Sequence, residues 1–400
     1  MSQSESPQAK PGSRALFPEL AFEAYANHAS VSPLSTPVCE AMQAVMSAQA
    51  REGMGIFRRE IERRDRLRAD FGALIGATGD DIGLVANTSA GVLAIAHGLP
   101  WRRGDRILVM RGEFPTNVTP WQQAARRHGL DLLWVDADDF RVDRAAALDE
   151  FEQHLSDGVR LVAVSAVQFT TGQRMPLAEM GEACARHGSE LFVDAIQAVG
   201  SMPLDVRELG IHYLACGSHK WLMGPEGVGF VYVAPDRAEY LEADIAAWIS
   251  HEDAFAFLSE GPESLRYDRP FQRGARMFEI GTFNSIGCAG LEASIGLIQS
   301  IGLEQIHKHI QAWHDALEPG LLERGFVSAR MPDQGARSGL LSVQPPDGRT
   351  AAGWAEQLGA RGISCASPAG WLRFAPHWPN GIAEADSILR AVDEILADRD

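Results

Sequence analysis

The chain has 400 residues, 46% of them hydrophobic and 22% charged, with a formal net charge of −17. That length exceeds one compact core and calls for two packed lobes, while the acidic balance excludes a basic nucleic-acid-binding face. No apolar run is long enough to span a bilayer, and the five cysteines (Cys39, Cys184, Cys216, Cys288, Cys365) form no C-x-x-C pair, which suits reduced thiols in a cytoplasm.

Residues 1–26 read as an N-terminal arm. Its first stretch, Met1 to Arg14, is polar, rich in Ser and Pro, without an apolar signal-peptide core, and is expected to be flexible. Gly55–Leu74 reads as a charged amphipathic helix whose interleaved acids and bases suit a solvated face better than a basic binding patch. Then β-branched or aromatic-rich runs alternate with amphipathic segments. The runs are Ile82–Ala86, Arg106–Met110, Leu132–Val135, Leu161–Ser165, Leu191–Val193, Tyr213–Cys216 and Gly229–Val233. This alternation predicts an α/β domain with a mostly parallel seven-stranded sheet. Ligands gather beyond the carboxyl ends of such strands, so functional residues should follow a strand directly. Ile286–Ile301 and Leu303–Arg324 read as consecutive helices, and the rest alternates strand and helix. The expected division is a large domain over residues 27–284 and a smaller α+β domain over residues 285–400.

Several residues meet the strand-end condition. After the first run, Asn87-Thr88-Ser89-Ala90-Gly91 opens a helical pattern. Free backbone N–H groups and the hydroxyls of Thr88 and Ser89 make either an anion cradle or an ordinary N-cap. No G-x-x-x-x-G-K-[ST] string exists, so a nucleotide P-loop is disfavoured. Phe114, in Glu113-Phe114-Pro115-Thr116-Asn117, is a core aromatic or a ring that stacks on a flat ligand. Asp194 closes the run Leu191–Val193, with Gln197 just beyond. A carboxylate there can cap a helix, bind a metal or pair with a protonated pyridine nitrogen. Lys220, in Gly217-Ser218-His219-Lys220-Trp221, stands where lysine would lose its solvent. Desolvation lowers an amine's pKa, as an imine-forming lysine requires. Asp194 and Lys220 would emerge at neighbouring strand ends facing one cofactor. Gln197 could then reach a ring hydroxyl oxygen, and Ser218 and His219 could complete a phosphate shell. Arg373, on the apolar strand Trp371-Leu372-Arg373-Phe374, suits either a bidentate grip on a substrate carboxylate or an internal ion pair.

Together these motifs resemble the class V aminotransferase family, the fold-type-I pyridoxal-phosphate (PLP) enzymes that include cysteine desulfurases, isopenicillin-N-epimerase-like proteins and kynureninases. The resemblance runs from Tyr25-Ala26-Asn27-His28 to Arg373 and is most specific over Val193–Val233. It implies Lys220 as the Schiff-base lysine, Asp194 as the pyridinium partner and Gln197 as the contact to the ring oxygen. Thr88, Ser89, Ser218 and His219 would hold the phosphate. Phe114 matches the ring-stacking position, in a kynureninase-like FPT context. Phe278–Asn284 resembles the segment whose threonine, here Thr282, reaches the phosphate of a neighbouring subunit, which implies a homodimer with shared sites. Gln168, in Val167–Gly172, matches a substrate-side loop, and Arg373 the carboxylate-binding arginine; His28 is a further substrate-side candidate. Two departures stand out. Cys365 is the lone cysteine near Arg373 and has no room for the desulfurases' long mobile loop, so it reads as a core thiol. The desulfurases' Ser-Gly-His-Lys is Gly-Ser-His-Lys here.

The expected function is therefore PLP-dependent chemistry at Cα of an amino acid, with transamination as the leading outcome. A Cβ lyase or an epimerase is the alternative, and a non-catalytic PLP-fold binding protein a lesser one. No metal is expected. A hydrolase built on His212, His219, His251, His307, His309 and His314 lacks a ligand spacing such as H-E-x-x-H, and the last three read as solvated helix histidines.

Overall fold

The computed structural model describes residues 8–258, 260–346 and 348–398. Seven strands form the central sheet: β2 (Ile82–Val85), β3 (Arg106–Arg111), β4 (Asp131–Asp136), β5 (Leu161–Ser165), β6 (Glu190–Asp194), β7 (Tyr213–Gly217) and β8 (Gly229–Val233). Their order is β2-β8-β7-β6-β5-β3-β4, and β8 alone runs antiparallel to its neighbours. Along β5, Val162 and Val164 enter one core while Leu161 and Ala163 enter the other. A strand buried on both faces lies between two helical layers, which explains its unbroken apolar run. The predicted strands and fold class match this architecture.

The smaller lobe packs a third core around Trp313, Trp354 and Phe374. Its sheet joins β9 (Val327–Ser328), β10 (Leu341–Gln344) and β12 (Leu372–Phe374), with β10 in the middle. The helix Ser285–Ile301, expected to open this lobe, instead lays Leu291, Ile295 and Ile298 into the large core. The change of core falls inside the helix Leu303–Glu323, between Ile310 and Trp313. No single helix among the described residues is long and apolar enough to cross a membrane.

The N-terminal stretch differs from the flexible arm expected of it. Residues 1–7 lie outside the described residues, but from Gln8 the chain is docked. Gly12 donates its N–H to the Trp378 carbonyl at 2.7 Å, and Leu16 and Phe17 are buried in the large core. Short β1 (Ala24–Tyr25) then pairs in parallel with β11 (Ile363–Ser364) of the small lobe.

Two further readings are corrected by burial. The helix following α1 (Thr36–Glu52) is α2 (Phe57–Leu74), and it is not simply solvated: Arg64 and Arg68 are buried and both bond the buried Glu279. His314 is also fully buried, packed beside Trp313, and is no surface histidine.

Candidate active site

Five strand ends converge on one cavity. β7 ends at Gly217, and Lys220, just beyond, lines the cavity together with Asp194, Gln197, Thr88, Phe114 and Arg373. The loop after Lys220 is tightly wound: Met223 takes a φ of 50°, rare for a residue with a side chain, and donates its N–H to the Lys220 carbonyl at 3.0 Å. Ser32 grips the same carbonyl through its hydroxyl at 2.5 Å. The lysine backbone is thus held from two sides.

Burial lowers the Lys220 amine to about 8, with Asp194 opposing and Arg373 adding to the fall. Burial likewise raises Asp194 to about 6, against the Ile196 N–H at 3.0 Å and the Lys220 charge. At neutral pH the carboxylate is ionised, while the amine stands close to its titration midpoint. Phe114 places its ring centroid 5.7 Å from Lys220 Nζ and meets Phe169 edge-on at 5.3 Å. Gln197 is fixed by two bonds, donating to the Ala29 carbonyl at 3.1 Å and accepting from Trp221 Nε1 at 2.8 Å. One amide N–H of Gln197 stays uncommitted to these partners.

The polar end of the cavity lies at the N-terminus of α3 (Thr88–Gly98). Asn87 caps the helix by accepting from the Ala90 N–H at 2.9 Å. That leaves the Thr88 hydroxyl buried without a partner. An orphan hydroxyl at a helix N-terminus is a place an anion completes. Ser89 Oγ and Thr116 Oγ1 share a hydrogen bond of 2.8 Å at the exposed rim. His219 also lines the cavity, its pKa lowered by burial and by Lys220.

Arg373 closes the opposite side. It is buried, and burial lowers its pKa to about 10. Nη1 donates to the Phe169 carbonyl at 2.6 Å and Nη2 to Ser30 Oγ at 3.0 Å. No carboxylate among the described residues forms an ion pair with it, so the internal ion pair is not made.

Four expected site residues turn elsewhere. Ser218 is fully buried and gives its hydroxyl to the Pro225 carbonyl, inside the turn rather than in the cavity. Gln168 is buried against Glu113 at 3.2 Å; its neighbour Phe169 faces the cavity instead. His28 is buried with Nδ1 2.8 Å from Ser32 Oγ and its ring edge against Tyr25 and His377, while Ala29 and Ser30 line the cavity. Thr282 is exposed and borders a separate hollow with Arg64 and Phe283. Ser30, Thr116 and Phe169 were not singled out from sequence, although each lies within two residues of one that was. Among the described residues no group of three or more His, Cys, Asp or Glu is placed to hold a metal.

With this geometry in view, comparison with known proteins decides the family. The family model for aminotransferase class-V matches residues 24–370. The chain belongs to this family. An uncharacterised aminotransferase, YcbU of Bacillus subtilis, is 28% identical over 385 residues, covering 96% of each chain. A probable cysteine desulfurase of Methanothermobacter thermautotrophicus is 31% identical over 297 residues, 73% of this chain and 71% of its own. Among solved structures, C-DES with glycine covalently linked to its PLP cofactor has a TM-score of 0.86 at 26% identity, covering 95% of this chain and 99% of that one. The cystine C-S lyase C-DES with its product cysteine persulfide gives 0.85 at 26%, over 94% and 99%. This class-V chain is a PLP-dependent enzyme, a transferase or a lyase, of fold type I. The orphan Thr88 hydroxyl, the buried Asp194 and the lowered Lys220 amine fit that cofactor.

Proposed function

We propose that the chain binds a neutral amino acid and moves a proton at its Cα with Lys220. The observation that carries this reading is Arg373, a buried guanidinium without a carboxylate partner, facing Lys220 across one cavity. A buried cation of this kind is an anion receptor, and a substrate carboxylate matches its fork. Asp194, Lys220 and Arg373 are the charged side chains that line the cavity, beside His219. The first two have cofactor-side roles, so among the described residues no second cation or anion lines the cavity to meet a charged substrate side chain. PLP, when bound, supplies an electron sink for the charge left at Cα.

Lys220 would hold PLP covalently until an amino acid displaces it, and then act as the base, since an amine held near 8 is an effective proton acceptor at neutral pH. Asp194 would keep a pyridine nitrogen protonated, and Gln197 would reach the ring hydroxyl. Thr88 and Ser89, with His219, would hold the phosphate at the α3 N-terminus, and Phe114 would cover the ring. Ser218 would serve the turn that carries Lys220 rather than the phosphate, its hydroxyl given to the Pro225 carbonyl and its N–H to the Val228 carbonyl. We read Thr282 as a contribution from a second copy, in a cytoplasmic homodimer.

Transamination is the leading outcome, with Cβ elimination second. For the second, Cys365 sets the form: it packs against the small-lobe core with its thiol pushed up to about 12 by burial. Such a thiol is a poor nucleophile, so a sulfur or other leaving group would depart free rather than on the chain.

The test is the visible spectrum of the purified protein beside Lys220→Ala, followed by a neutral amino-acid panel scored for keto acid, pyruvate and sulfide. A visible band that borohydride abolishes, and that the variant lacks, is expected. A protein that stays colourless after incubation with PLP would sink the reading.

A further inference from the structure

Glu113 is a buried carboxylic acid beside the cavity that the proposed chemistry does not use. It sits at the carboxyl end of β3, next to β5, where the chain reverses its progress across the sheet. Phe114 follows it in extended conformation, φ −62° and ψ 139°, so the two side chains point opposite ways. The ring turns to the cavity and the carboxyl turns inward.

Its two oxygens reach three donors. Oε1 accepts the Ser165 N–H at 2.6 Å and the Gln168 amide at 3.2 Å, and Oε2 accepts the Ser165 hydroxyl. Each contact leads to a cavity group. Ser165 is the register partner of Asp194, whose carbonyl accepts the next N–H, that of Ala166, at 2.8 Å. Gln168 precedes Phe169, whose carbonyl takes Nη1 of Arg373. Gly172, at φ +77°, closes the Gln168 loop where a Cβ would meet Leu340 Cβ at 2.6 Å, so the loop is packed closely against the small lobe at that point.

We infer that Glu113 is a positioning residue that holds the Phe114 ring, the Asp194 strand end and the Arg373 guanidinium in one mutual geometry. The inference rests on the roles proposed above for those three groups. A residue serving stability alone would not be built this way: burial raises its pKa to about 7, Ser165 and Gln168 oppose, and Asp194 is the charged neighbour that adds to the rise. A neutral glutamine would escape that cost but would hold the Ser165 and Gln168 donors more weakly than a carboxylate, whose charge-assisted bonds are about twice as strong.

The experiment compares the PLP-loaded protein with Glu113→Gln, reading melting temperature, amino-acid KM and kcat, and the pH midpoint of the visible band. An unchanged or higher melting temperature is expected, with KM raised about ten-fold through Arg373. Above pH 7, where Glu113 is ionised, the band midpoint should move down by about half a pH unit in the variant, because an anion near a cationic chromophore raises its pKa and the variant removes that anion. Ser165→Ala provides a second variant, milder in the same direction, should Glu113→Gln not fold. Unchanged KM and midpoint in these variants, beside a parent that binds PLP and turns over, overturn the positioning role alone. A parent that takes up no PLP overturns the proposed function first.

Discussion

Lys220, Asp194 and Arg373 carry their charges where water does little for them, and each is displaced from its ordinary pKa by that burial. For a base, a lowered pKa means that the neutral form dominates at lower pH. The apo protein should therefore capture PLP at a rate that climbs about ten-fold per pH unit below 8 and levels off above it. An ordinary lysine would keep climbing towards 10.5; a profile still rising at pH 9.5 would disprove the lowered amine. Arg373→Leu should raise the amino-acid KM by about 30-fold or more, the worth of a charge-assisted pair, with the PLP band intact. Loss of the band instead would place Arg373 in cofactor binding. At this scale much of the site was legible, because Asp194, Lys220 and Thr88 follow strands directly and the strands announce themselves by composition. The direction of a side chain was less so. Ser218, Gln168 and His28 lie beside cavity residues in sequence, yet alternate inward, and nothing local marks which of two neighbours faces the ligand.

Helix α2 teaches the same lesson over a longer range. Its arginines read as solvated because acids and bases interleave, but Arg64 and Arg68 serve a carboxylate more than two hundred residues away. Burial alone would raise the Glu279 pKa; Arg68 and Arg64 hold it below its usual value, and the Leu84 N–H at 3.0 Å adds to the hold. A lowered carboxylate contributes stability above its unfolded pKa near 4.5 and loses it as pH falls through the folded value. Glu279→Ala should cost about 3–5 kcal/mol at pH 7, since it leaves the buried Arg64 guanidinium without a carboxylate and Arg68 with only the more exposed Asp65. The gap from the parent in thermal unfolding should narrow below pH 4. A variant within about 1 kcal/mol of the parent at pH 7 would show the cluster to be idle.

For the whole molecule, the seven-stranded sheet and the two-lobe plan followed from the alternation of strand and helix, while the docking of the N-terminal stretch did not. Residues 8–31 lack periodicity and owe their place to partners at the far end of the chain, such as Trp378 and Ile363. The stretch from Trp248 to Ile280 leaves large apolar side chains such as Leu258, Leu265 and Tyr267 exposed, and Thr282 follows close behind. Light scattering should find two chains per particle at micromolar concentration, and Thr282→Ala should weaken PLP retention about ten-fold without dissociating them. A single chain per particle would remove Thr282 from the site.

Arg373 stands at a junction of three parts of the chain. The guanidinium rides on β12 of the small lobe, one amine resting on Ser30 of the N-terminal stretch and the other on the Phe169 carbonyl beyond β5. A carboxylate seated there acts as a keystone, loading all three parts at once and stiffening the arch over Lys220. Amines of the same shape but without a carboxyl group would enter the cavity and leave the arch slack. They should lose turnover number as well as affinity, because the energy of a remote grip is converted into alignment at the reacting carbon.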